Sequence, residues 1–306
     1  ERCWGRESAV YRITGVLSVI GGWFITAGAA FSICFVVALL IHWGGIPALA
    51  AMIGLAIYSL VRSHIAYKKK QRKEALQEEV NTTVAKLRKA TNSVEALKLF
   101  REHSREELEA NLRFSSEMLN QAVQGFIHEN LKELRKVLSE IKERKVHLKQ
   151  VKRVGTLGVT QLDHEIAVEK GLYYYQSNDF SSEIIFSLSR LAEPCKDHID
   201  NNFNPLSEIQ VKEFGGETEV VIDFINRCAD MIHKNTYAGF EELVNESAEL
   251  NNQLVALKKG ELKRIQGQTG STKVSMVYLN MIQEVQNVVS FTTNLLKVSR
   301  KFQIER

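Results

Sequence analysis

Glu193 and Asp197 stand four residues apart in the run Glu193-Pro194-Cys195-Lys196-Asp197. On a helix that spacing puts both carboxylates on one face, where their oxygens can ligate a hard divalent cation. The same spacing also describes a solvated charged pair. Both residues point away from the apolar stripe of Ile184, Leu188, Leu191, Cys195 and His198. Sequence alone leaves both readings open. Ninety residues further on, Gln283 and Asn287 repeat the spacing as amides, with the shape of the pair but not its charge. Glu284 is in phase with Val277, Phe291 and Val298, at the edge of an apolar stripe, where a carboxylate is expected to reach water. His42, His64, His128 and His233 share no ligand spacing, and the four cysteines form no CxxC pair. Reduced, buried thiols are expected. No GxxxxGK[ST], HExxH or GxSxG pattern occurs, so the sequence predicts no enzyme, no catalytic residue and no bound organic cofactor.

The elements that must carry these residues are helices. Leu131, Leu134, Val137, Leu138 and Ile141 fall at helical spacing. Val274, Tyr278, Met281, Val285, Val288, Thr292, Leu295, Ser299 and Phe302 alternate steps of four and three, the seam of a bundle. No strand-like alternation persists. Breaks are expected at Gly155-Thr156-Leu157-Gly158, near Asp179 (read as a helix cap) and at Pro205. Helices are accordingly expected over about 161–176, 179–202, 218–235, 237–264 and 271–302.

Upstream, the chain changes character. No charged residue occurs from Ile13 to Ile41, nor from Trp43 to Val61. A membrane-spanning helix needs ~20 apolar residues, so both stretches qualify and a secretory signal peptide does not fit. Gly15, Gly21 and Gly22 offer a small-residue face for helix contact in the membrane. Arg2, Arg6 and Arg12 flank one side. Arg62, Lys68, Lys69, Lys70, Arg72 and Lys73 flank the other, and the turn at Trp43-Gly44-Gly45-Ile46-Pro47 is uncharged. Basic flanks stay cytoplasmic, so both ends of the hairpin and the soluble part are expected in the cytoplasm. No groove-reading motif accompanies the basic run, which argues against nucleic acid as a partner.

The chain therefore reads as all-α, with two transmembrane helices leading into an antiparallel helical bundle. The expected domains are a membrane hairpin over 1–66, a basic and then charged helical linker over 67–109, and a bundle over 110–306. An internal echo divides the bundle. Gln124-Gly125-Phe126-Ile127-His128-Glu129-Asn130 parallels Ala229-Asp230-Met231-Ile232-His233-Lys234-Asn235, and the last helices of the halves align at an offset of ninety. The repeats cover about 110–205 and 206–306. The offsets differ by fifteen residues, which places an insertion in the first half near Val154 to Gln161.

These pieces resemble a known arrangement. The run from Arg6 to Ala27, with Gly21-Gly22-Trp23-Phe24 at its centre, looks like the final membrane segments of PiT-type inorganic phosphate transporters. The soluble part resembles PhoU, two three-helix repeats whose third helices carry an ExxxD metal motif. Glu193 and Asp197 match that motif, whereas Gln283 and Asn287 depart from it. The resemblance implies cation-coupled phosphate symport (sodium or proton) at the inner or plasma membrane, with a cytoplasmic PhoU-like regulatory domain. It also implies a homo-oligomer and a divalent metal on the soluble domain. The family's Gly-Ala-Asn-Asp and Ser-Thr-Thr-His elements are not in this sequence, so the phosphate site is expected in residues outside it. The alternative is a membrane-tethered helical scaffold or sensor with no transport activity.

Overall fold

The computed structural model describes residues 6–90, 92–267 and 271–304; the side chains of 6–22, 48, 66, 68–70, 72–81, 83 and 88 fall outside that description. Arg2, Cys3 and Trp4 therefore lie outside the described residues. So do the side chains of Arg6, Arg12, Gly15, Gly21, Gly22 and the cations from Lys68 to Lys73. All described regular structure is helical: α1 (Arg6–Lys89), α2 (Ser93–Ile127), α3 (Leu131–Thr160), α4 (His164–Asp200), α5 (Glu208–Lys234), α6 (Phe240–Gln266) and α7 (Thr272–Gln303). The chain divides into two compact units, Glu1–Ala75 and Leu76–Arg306.

In the first unit α1 is interrupted at Gly45, whose φ of 56° and ψ of −145° leave the helical region. A side chain at that φ is strained, so glycine belongs there, and Pro47 begins the following arm without needing a donor. Trp23–Pro47 is long and apolar enough to cross a membrane, with none of it buried in the protein. Trp23, Phe24, Phe31 and Trp43 all lie bare on its surface. The second apolar stretch, Leu49–Ile65, is shorter. An apolar surface of this extent is stable only against lipid or another chain.

In the second unit α2, α3 and α4 pack on one another, and so do α5, α6 and α7. The two groups join through α2 on α5 and α4 on α7. One large core fills both groups, and it includes Leu112, Leu119, Leu134, Leu188, Phe224, Leu254, Met281 and Leu295. Every seam position of α7 from Val274 to Phe302 is buried. Helix α2 runs through residue 110 without a break and buries side chains from Ala96 onward, so a linker ending at 109 would cut through it.

Two expected breaks are absent. Helix α4 is continuous through Asp179, because its polar residues bond back along the helix. Ser177 Oγ donates to Tyr173 O and Asn178 Nδ2 to Tyr174 O, while Asp179 accepts from Lys152 on α3 rather than capping. Helix α3 likewise continues through Gly155 and Gly158 to Thr160. These glycines exist for close approach. A Cβ on Gly155 would sit 1.8 Å from the Tyr174 ring, and one on Gly158 would sit 2.7 Å from Phe100.

The extra length of the first group lies in its helices. Helices α2, α3 and α4 have 35, 30 and 37 residues, against 27, 27 and 32 for α5, α6 and α7. The added turns build a second, smaller core from Leu87, Ala96, Phe100, Val154, Leu162, Tyr174 and Phe302. Phe100 lies with its ring centroid 4.4 Å from that of Tyr174 and edge-on to Phe302, and Tyr174 OH donates to Val151 O. Leu87, on the last turn of α1, completes this smaller core.

Candidate functional site

Helices α4 and α7 run antiparallel, and between them they carry the carboxylate and amide positions singled out from sequence, Glu193 and Asp197 on α4 and Gln283, Glu284 and Asn287 on α7. Asn280 Nδ2 donates to Arg190 O at 2.9 Å, so the two positions ninety residues apart touch across the pair. Phe180 and Phe291 stack further along. Glu284 is buried, contrary to the expectation of an edge carboxylate reaching water: Arg190 Nε reaches both its oxygens at 3.1 Å, and Asn287 Nδ2 adds a third bond at 3.0 Å. Arg190 is itself held by Ser187 Oγ. A carboxylate buried this way depends on its cation, because an unpaired charge in the interior is strongly destabilising.

Glu193 and Asp197 are both exposed on α4. Ser189 Oγ donates to Glu193 Oε1 at 3.0 Å and itself accepts from Lys145 Nζ of α3 at 2.9 Å. Asp197 accepts from its neighbour Lys196 at 2.6 Å, which raises the lysine pKa. On the other group, Lys258 of α6 donates to Gln283 Oε1 at 2.6 Å and also to Gln286 Oε1, and Gln283 Nε2 donates to Asn287 Oδ1. A lysine from the middle helix of each group thus puts its ammonium beside the third helix. Burial lowers the pKa of both lysines, opposed by Glu193 at Lys145 and by Glu284 at Lys258.

This chemistry does not suit a divalent cation. A hard metal collects six or more oxygens, several of them anionic. Here two exposed carboxylates each face an ammonium, and among the described residues no group of three or more His, Cys, Asp or Glu could hold a metal. The ammonium ions already supply the positive charge. The second group offers neutral amides whose oxygens are taken by Lys258.

Sequence reasoning missed a buried ionic cluster in each group. In the first, Glu107 Oε2 meets His147 Nε2 at 2.8 Å and Arg144 at 3.7 Å, while Arg144 Nε donates to fully buried Asn111. Burial alone would raise the Glu107 pKa, but the His147 bond and the charges of His147, Arg144 and His103 hold it below its ordinary value. In the second, Glu261 accepts from Ser275, Arg264 Nε at 2.7 Å and Gln210 at 3.1 Å, and these bonds outweigh burial in the same direction. Apart from Arg264, three residues from Glu261 on α6, the partners of each carboxylate lie on other helices, so no single helical period announces the clusters.

Cys195 and Cys228 are buried free thiols whose pKa burial raises, whereas Cys34 is exposed on α1. The chain matches no family model, no curated protein and no solved structure.

Proposed function

We propose that this chain is the C-terminal portion of a PiT-type inorganic phosphate transporter, two membrane-spanning helices followed by a PhoU-like cytoplasmic regulatory bundle of two three-helix repeats. The observation that carries the reading is the pairing scheme. Two three-helix groups joined through their first and third helices follow directly on an apolar helix of spanning length. The run Arg6 to Ala27 supports it by resemblance. Leu49–Ile65 would be the second span, at the short limit for a bilayer. Phosphate and the coupling cation would bind in residues outside this sequence, and the bundle would bias the transport cycle by differential contact with its states.

The test is phosphate uptake by cells lacking their own transporters and expressing the complete reading frame that contains this chain. Cation-dependent uptake that changes set-point when residues 93–306 are deleted supports the proposal, and absence of uptake refutes it. One observation favours the second reading, a membrane-tethered scaffold or sensor. The two carboxylates that the resemblance assigns to metal sit beside lysines, Glu193 near Lys145 and Asp197 bonded to Lys196, which suits a bundle that serves as a fixed frame. A tethered scaffold would show no uptake from the same reading frame.

A further inference from the structure

Beside the smaller core, the first turns of α2 form one wall of an open groove of about 330 Å³, a size suited to a small ligand. Lys98, Arg101 and Arg105 line it at steps of three and four, so all three share one helix face. Asn235 and Gln303 line it from the ends of α5 and α7, Leu97 and Val94 give it an apolar floor, and Glu102 is the single acid. Two helix C-termini end here, and their partial negative charge attracts cations. That accounts for one of the three. Arg101 Nε donates to Phe302 O at 2.9 Å, and Gln303 Nε2 donates to Arg101 O, so Arg101 fastens the end of α7. Asn235 closes α5 in the left-handed conformation at φ 50°, with its own amide bonded to Ile232 O. Neither Lys98 nor Arg105 is held by an ion pair among the described residues. Two cations surplus to the fold, spread over about 10 Å of helix, face a concave surface with an apolar floor.

We infer that this groove binds a phosphate-bearing anion, a di- or triphosphate rather than a single phosphate, with Lys98 and Arg105 as its direct ligands. Cations two helical turns apart suit a chain of phosphates, and the Leu97 floor accommodates an attached ring. Binding there needs no transport activity, so loss of the transport reading leaves it standing.

The test uses the whole chain in neutral-lipid nanodiscs, titrated calorimetrically with inorganic pyrophosphate, ATP and inorganic phosphate. Pyrophosphate and ATP are expected to bind, more tightly than inorganic phosphate and more weakly as salt rises. Lys98→Glu with Arg105→Glu should weaken binding about a hundredfold, tenfold for each charged contact. The melting temperature should not change, since neither side chain holds the fold. Lys212→Glu, at the far end of α5, should bind as the parent does. Competition by nanodiscs containing an anionic lipid would assign the same chemistry to a headgroup, and its absence to a soluble phosphate. No heat with pyrophosphate or ATP, or equal loss in Lys212→Glu, overturns the inference.

Discussion

The two three-helix groups share a plan and differ in how their glycines and their ends are used. In α3 of the longer group, Gly155 and Gly158 let Tyr174 and Phe100 lie against the helix backbone. In the shorter group Gly215 and Gly216 of α5 and Gly260 of α6 have nothing within 4 Å of where a Cβ would stand. One set of glycines is a packing device, and the other is only a weak point in a helix. A residue type that reads identically in sequence has opposite energetic meaning, decided by what lies across from it.

That contrast can be broken by substitution. Tyr174→Ala should cost about 3–5 kcal/mol, as for other buried aromatic deletions, since Tyr174 is only 1 % exposed. Gly155→Ala should cost about 1–3 kcal/mol by overpacking the same ring. Both are read as lost thermal stability, with hydrogen exchange accelerated first around Leu87 and Leu162. A change confined to the large core would contradict the assignment of these residues to a separate core.

Glu107→Gln leaves Arg144 without its carboxylate and should cost about 3 kcal/mol, the lower end for breaking a buried pair. The sign with pH follows from the depressed carboxyl pKa. Stability from Glu107 is present above its unfolded value near 4.5 and is lost as pH falls through the lower folded value. Glu261 adds a loss of the same sign. Urea titrations stepping down from pH 5 should therefore show a falling midpoint, shallower in Glu107→Gln. A parallel slope in the variant would remove Glu107 from the account.

Gly216→Ala should do the reverse of Gly155→Ala and stabilise by about 0.4–1 kcal/mol, because the exposed helix gains propensity without a clash. The smallest expected effect is none. Manganese, iron, zinc, magnesium and calcium salts should leave the melting temperature of the chain unchanged. A bound metal at a hundredfold excess over its Kd would raise stability by about 2.7 kcal/mol. A metal-dependent rise abolished by Glu193→Gln with Asp197→Asn would restore those carboxylates as a metal centre.

Much of the helical plan was legible because burial repeats along each helix. The seam of α7 and the stripe Ile184, Leu188, Leu191, Cys195 and His198 of α4 are buried at every position. What was not legible depended on partners far away in the chain. Gly155 reads as a breaker until Tyr174 is placed across from it, and Asp179 reads as a cap until Lys152 reaches it. Glu284 and Arg190 stand ninety-four residues apart, so no local pattern joins them. The fifteen-residue difference between the halves was visible, but its expected place near Val154 to Gln161 falls in the last turns of an unbroken α3.

The smaller core also sets an order on the making of the protein. It takes Leu87 from the end of α1 and Phe302 from the last turn of α7, residues more than two hundred positions apart in the chain. Domains generally acquire structure from the N-terminal side while synthesis continues, yet this core stays incomplete until residue 302 has left the ribosome. Until that moment Phe100 and Tyr174 lack their third ring, and the nascent chain carries an open aromatic surface.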